Sequence, residues 1–329
     1  MTRGLGIVLL VSALGPSPRL AAAAMAEVGR IVVAPDVKVR FLRVSPDGRQ
    51  LTAACGDGKL RVWPVPPEKA SGLLRTLDVD GEPISALAYS HDGAWVGAST
   101  RKGTVAVFEA RTGGVAARFN TAGTGRAIRL DALAISPDGS RVVVAPVNSP
   151  PELWDVASAK RRAVLATSFG GSNALDFSPD GTRLASADED TAIRLYDADG
   201  VLHATVDDLS LESFALTFTA DGKQVVVGGA DKRVTVLDGV TGRIVRQLPK
   251  QPDSIVFLVA LRAGQTIVSA SFKDESMDLP GAMLAWALDG SPPREITTGQ
   301  RFNGGGSVKD GRLLATTMVD GAIVVWALR

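Results

Sequence analysis

Residues Asn173–Ala198 read NALDFSPDGTRLASADEDTAIRLYDA. Ala174-Leu175-Asp176-Phe177 alternates and stops at Ser178-Pro179-Asp180-Gly181. Proline presets φ in such a turn, and glycine accepts the positive φ that it often needs. Arg183–Ala187 reads as a second strand and Ile193-Arg194-Leu195-Tyr196 as a third.

The unit recurs. Glycines equivalent to Gly181 stand at Gly48, Gly93, Gly139, Gly222, Gly264 and Gly311, at intervals of 45, 46, 42, 41, 42 and 47 residues along the chain. A period of that size marks stacked or radially arrayed units. Six residues before the anchor stand Leu42, Leu87, Leu133, Leu175, Leu216 and Leu258, with Gly305 in the last copy. Three after it stand Leu51, Val96, Val142, Leu184, Val225, Ile267 and Leu314. Fifteen after it stand Trp63, Phe108, Trp154, Tyr196, Leu237 and Trp326; in the sixth copy Trp286 follows at 22, which implies a seven-residue insertion. A more polar fourth strand follows at Val115–Phe119, Arg162–Leu165, Val201–Thr205 and Ile244–Leu248. Four strands per ~40 residues match a propeller blade, so the expected fold is all-β, a seven-bladed propeller of four-stranded antiparallel blades.

The units resemble WD repeats over roughly residues 30–329. Trp154-Asp155 carries the family dipeptide, and Tyr196-Asp197 and Leu237-Asp238 are variants, whereas Trp63, Trp286 and Trp326 are followed by Pro64, Ala287 and Ala327. The Gly-His pair that opens such repeats is absent. The turn aspartate that bonds this histidine in the family stands at Asp57, Asp190, Asp231 and Asp320, where turn chemistry is the expected role.

Arg3, the apolar run Leu5–Leu14 and the small residues near Ala22–Ala26 form a secretory signal pattern, too short for a membrane span. The reading is a signal peptide at 1–26 and one propeller domain at 27–329, periplasmic or secreted. A cytoplasmic protein starting at Met25 is the alternative. Residues 30–34 read as a lone leading strand, and Val324–Arg329 as a third strand with no fourth after it. The leading strand is therefore expected to complete the last blade and close the ring.

The chain is 45% hydrophobic and 22% charged, and removing residues 1–26 takes away Arg3 and Arg19 but no acid, so the formal charge falls from +1 to −1. That balance gives no reason to expect nucleic acid as partner. The single cysteine, Cys55, allows no internal disulfide and reads as a buried thiol.

Binding tends to sit on variable loops over a rigid scaffold. Three segments vary opposite the Pro-Asp-Gly turns: Asn120–Arg129 with Arg126 and Arg129, Gln300–Gly306 with Arg301 and Phe302, and Ser271–Gly281. With Arg101, Lys102, Lys232 and Arg233 of the tight turns, these basic side chains and Phe302 are the candidate binding residues. Asp274, Glu275 and Asp278 lack calcium-loop spacing and read as a solvated acidic loop. No metal or cofactor is expected.

Catalysis by a nucleophile needs a base, and the two histidines are His91, in a Ser-His-Asp-Gly turn, and His203, on an outer strand. Neither is expected to face the axis. The reading is a non-catalytic scaffold for a protein or peptide, a monomer or part of a larger assembly. The alternative is a propeller enzyme with an axial site, a lactonase-like hydrolase or a quinone-cofactor oxidoreductase.

Overall fold

Short alternating apolar runs separated by Gly- and Asp-bearing turns cannot bury themselves singly, and the chain resolves this by pairing them four at a time. The computed structural model describes residues 25–33, 37–65, 72–121, 130–167, 170–207, 209, 212–260, 266–272, 280–288, 291–295, 302–309, 313–318 and 322–328. After β1 (Met25–Ile31), the first blade comprises β2 (Val39–Val44), β3 (Gln50–Cys55), β4 (Lys59–Pro64) and β5 (Arg75–Asp78). The second comprises β6 (Ile84–Tyr89), β7 (Trp95–Thr100), β8 (Thr104–Glu109) and β9 (Val115–Asn120). The third comprises β10 (Leu130–Ile135), β11 (Arg141–Pro146), β12 (Glu152–Asp155) and β13 (Lys160–Val164). The fourth comprises β14 (Ser172–Phe177), β15 (Arg183–Asp188), β16 (Ile193–Asp197) and β17 (Leu202–Val206). The fifth comprises β18 (Ser213–Phe218), β19 (Gln224–Gly229), β20 (Val234–Asp238) and β21 (Ile244–Gln247). The sixth comprises β22 (Ile255–Ala260), β23 (Thr266–Phe272), β24 (Pro280–Ala287) and β25 (Arg294–Glu295).

These six antiparallel blades are each continuous in the chain. The expectation of seven like units is corrected in that respect. The remaining strands, β26 (Phe302–Lys309), β27 (Leu313–Met318) and β28 (Ile323–Leu328), form a composite sheet whose fourth strand is β1, in the order β1-β28-β27-β26. The leading strand lies earlier than the apolar run at 30–34 suggested. Its partner sets the limit: Ile31 pairs with Ile323, the first residue of β28, and the pairing ends where that strand begins. Val32 is then 75% exposed, while Val33 is buried. Gln300–Gly306 is likewise not a loop throughout, because Gly304, Gly305 and Gly306 pair with Thr317, Thr316 and Ala315 within β26, between two register shifts.

The core is distributed between blades. Leu60, Val62 and Leu77 of the first blade pack with Leu87, Val96 and Phe108 of the second. Val105 and Val107 of the second pack with Leu133, Val142 and Val144 of the third. The fourth and fifth blades share a cluster of Ile193 and Leu195 with Leu216, Phe218 and Val225, and Ile31, Ile323 and Val325 of the composite sheet pack on Leu42, Leu51 and Trp63. The first five blades are thus covered on both faces, which is why their inner strands read as nearly continuous apolar runs. The register puts the three sequence columns together. Leu51 pairs with Trp63, Leu184 with Tyr196 and Val225 with Leu237. Ile267 pairs with Trp286, which places the extra residues of the sixth unit between β23 and β24.

The turn after each first strand has a fixed chemistry. Ser45, Ser90, Ser136, Ser178 and Thr219 are buried, and each hydroxyl donates to the turn aspartate at 2.5 to 2.7 Å. Each also accepts the backbone N–H five residues on. The anchor glycine holds φ between +65° and +78° at Gly48, Gly93, Gly139, Gly181 and Gly222, a region that side chains disfavour. These turns also touch from blade to blade: a Cβ on Gly93 would stand 3.2 Å from Pro46, on Gly181 3.2 Å from Pro137, and on Gly222 3.4 Å from Pro179. The second blade breaks the series. It carries His91 where the first, third and fourth carry proline and the fifth carries Ala220, and the next glycine, Gly139, lies instead under the indole of Trp95, which a Cβ would meet at 2.2 Å.

Candidate functional site

The first strand of each blade carries a bulge at its start, the register slipping between Val39 and Phe41, Ile84 and Ala86, Ser172 and Ala174, and Ser213 and Ala215. Bulges bend a strand and re-aim its side chains. These strands run side by side around the axis, β2 lying against both β6 and β26. They enclose an axial channel of about 470 Å³, lined by β2, β6, β10, β14, β18, β22 and their turns.

At the residue after the leucine column the channel wall reads Arg43, Ala88, Ala134, Asp176 and Thr217. Three of these five are small or neutral and two are charged, with Arg43 in the first blade and Asp176 in the fourth. Asp176 is fully engaged. It accepts the Phe218 N–H at 2.8 Å, the Thr217 hydroxyl at 3.2 Å and a contact from His91 Nε2 at 3.0 Å. The last of these comes from the second blade across the third, where Ala132 and Ala134 leave the space open. The expectation that His91 faces away from the axis is therefore corrected. A proline at that turn position would end at its ring, whereas the longer imidazole extends into the channel. His203 lies on the outer strand β17 beside Asp197, as its position suggested.

Arg43 is held differently. Its guanidinium donates to the Leu42 carbonyl at 2.9 Å and sits 5.8 Å from the ring centroid of Phe257. Burial holds its pKa below the ordinary arginine value. On the neighbouring strand Tyr89 shares a 2.6 Å hydrogen bond with Thr52, and burial pushes its phenol up to about 12.

The turn aspartates of the second and third strands perform turn chemistry and more. Asp57 accepts the Lys59 N–H and a fork from Arg61 at 3.0 and 2.7 Å. Asp190 does the same with Ala192 and with Arg194, at 2.9 and 2.6 Å. Arg194 also bonds Asp188, which is wholly buried and receives the Ser172 hydroxyl. Burial raises the Asp188 carboxyl above its ordinary range, and Asp190, then Asp188, raises the Arg194 guanidinium further. An arginine four residues on thus engages the turn acid in two units.

The candidate basic residues do not converge. Arg101 and Lys102 lie in the β7–β8 turn and Lys232 and Arg233 in the β19–β20 turn, in blades that are not neighbours. Lys102 pairs with Glu82, and Lys232 donates to the Pro252 carbonyl at 2.8 Å. Arg126, Arg129 and Arg301 lie outside the described residues, as do Asp274, Glu275 and Asp278. Phe302 opens β26, paired with Met318. Among the described residues no cluster of three His, Cys, Asp or Glu could hold a metal, and no helix is long and apolar enough to cross a membrane, which says nothing of a β-barrel. The sequence reading missed Arg43 and Asp176. Two charges in an otherwise small, neutral column of inner-strand residues were the available signal.

Two of the repeats match a known family. They are residues 30–64 and 162–197, and the family is WD40: WD domain, G-beta repeat. The chain is also 27% identical over 211 residues to the Apoptotic protease-activating factor 1 of Danio rerio, across 61% of this chain and 16% of that protein. It is 23% identical over 313 residues to a WD repeat-containing protein WDS homolog of Arabidopsis thaliana, across 91% of this chain and 57% of the relative. Striatin-4 of Mus musculus is 24% identical over 161 residues, across 48% of this chain and 21% of its own length. The chain thus spans less than two thirds of each of these relatives. Together, the repeat matches, the relatives and the four-stranded blades support a WD-repeat β-propeller.

Proposed function

We propose that the chain is a WD-repeat scaffold that binds a protein or peptide, with the composite sheet serving as a seventh blade that closes the ring. The observation that carries the reading is the match of two repeats to WD40 within an architecture of interlocked blades. A rigid ring with variable loops suits recognition. The step from architecture to binding is one of family analogy. Affinity capture from native extract of the source cell tests it, comparing the wild type with a variant reversed at Arg101, Lys102, Arg126, Arg129, Lys232, Arg233 and Arg301. A partner retained by the wild type and lost by the variant supports the loop face. Retention of the same proteins by an unrelated propeller of equal size would remove the reading.

Export is part of the proposal, on the strength of the apolar run and small residues before Met25. N-terminal sequencing of the protein from its native source decides it, since an unprocessed chain beginning at Met25 would end the case for a signal. A second reading is kept because one contact favours it. The pairing of His91 with Asp176 in the channel has the form of an oriented base, so a propeller hydrolase is the alternative. An ester and lactone panel tests it, with turnover that disappears in His91→Gln as the supporting result.

A further inference from the structure

We propose that the axial channel is a binding site for a monocarboxylate with an apolar or aromatic body, received by the guanidinium of Arg43. The inference goes beyond the scaffold reading and does not require it. The channel holds about 470 Å³, within the range of small-ligand sites. Its wall is alanine-rich at Ala86, Ala88, Ala132 and Ala134, which leaves room, and Phe41 and Phe257 supply an aromatic side.

Arg43 is the unsatisfied element. A guanidinium has five N–H donors in a planar fork. Among the described residues it makes one hydrogen bond, to the Leu42 carbonyl. Burial depresses its pKa, and among the described residues no acidic neighbour offsets that shift. Arg43 is half-buried, and a charge drawn out of water is ordinarily paired, because desolvation is expensive. The acid at the same level of the channel, Asp176, is committed to His91, Thr217 and the Phe218 amide. The ring face of Phe257 meanwhile stands over the guanidinium at 5.8 Å from the centroid. Four donors remain for a ligand that brings its own oxygens.

The charge count selects the ligand. One guanidinium neutralises one negative charge, and its fork matches the two oxygens of a carboxylate. A phosphate dianion would keep an excess charge facing Asp176 in a confined space. The aromatic and alanine surface suits an uncharged body behind the carboxylate.

The test uses the full chain, with benzoate and inorganic phosphate as probes. Isothermal titration should give saturable benzoate binding that is weakened at least about tenfold in Arg43→Met. In the wild type, benzoate should shift one arginine Nε–H signal in 15N-resolved spectra, a readout that stands even if the variant fails to fold. Benzoate binding equal in wild type and Arg43→Met would overturn the proposal. So would the lack of any saturable binding and arginine shift, or phosphate binding tighter than benzoate.

Discussion

Replacing Arg194 with methionine should destabilise the protein by about 3–5 kcal/mol, the usual cost of removing one partner from a buried ion pair. Arg194 is 4% exposed and Asp188 is wholly buried. Methionine matches the length of the arginine stem but offers no donor. It would leave Asp188 with the hydroxyls of Ser172 and Ser186 as side-chain donors, and would take from Asp188 and Asp190 the cation that both engage. Much of the cost is the desolvated carboxylate, so removing that charge should recover most of the loss. Asp188→Asn in the Arg194→Met background is therefore expected to be more stable than Arg194→Met alone. Urea unfolding of the wild type, both single variants and the double variant completes the cycle. An Arg194→Met protein within about 1 kcal/mol of wild type would refute the reasoning, because that is the worth of an exposed pair. A double variant less stable than Arg194→Met alone would refute it equally.

Gly139→Ala should destabilise more than Gly222→Ala, since the new methyl meets the Trp95 indole at 2.2 Å in one and Pro179 at 3.4 Å in the other, while both share the strain of positive φ; urea midpoints rank them. Deleting residues 1–36 removes β1 and the buried Ile31 and Val33, and should lower the melting temperature markedly; an unchanged value would rule out closure by the leading strand. The protein should lose stability as the pH falls below about 4. At Asp221 the Thr219 hydroxyl holds the carboxyl below its ordinary value; at Asp138 and Asp180 burial pulls the other way, but the hydroxyls of Ser136 and Ser178 and the local amides win. Carboxyls depressed in the folded state contribute stability that is present above their unfolded pKa and lost as pH falls through the folded one. Asp138→Asn, Asp180→Asn and Asp221→Asn together should therefore flatten acid unfolding followed by circular dichroism. Cys55, buried and with its thiol pushed up by burial, should resist thiol reagents until the chain is unfolded.

The blade was legible in the sequence because each of its determinants is local. The turn glycine, the aliphatic three residues on and the aromatic fifteen on all fall in adjacent strands, and their pairing in the structure follows from the turn itself. Even the insertion before Trp286 could be read, since the aromatic marks where the column resumes. The ends were harder. The leading strand is defined by β28, some three hundred residues away, so its apolar run at 30–34 misstated its bounds. The axial site was least legible, because its members belong to different units. His91 looked like a proline substitute within its own turn, and Asp176 like the polar half of an alternating strand. What joins them is the position of the second and fourth blades around one axis, which periodicity cannot express.

The contact of Gly93, Gly181 and Gly222 with the proline of the preceding blade bears on how such a chain could be rearranged. Where that join is repeated, one unit could stand in for another and still seat against its neighbours. The second unit could not be moved in this way. Shifting it would strip the indole cover from Gly139 and withdraw the imidazole from Asp176 together, so this single repeat fixes the serial order of an otherwise modular assembly.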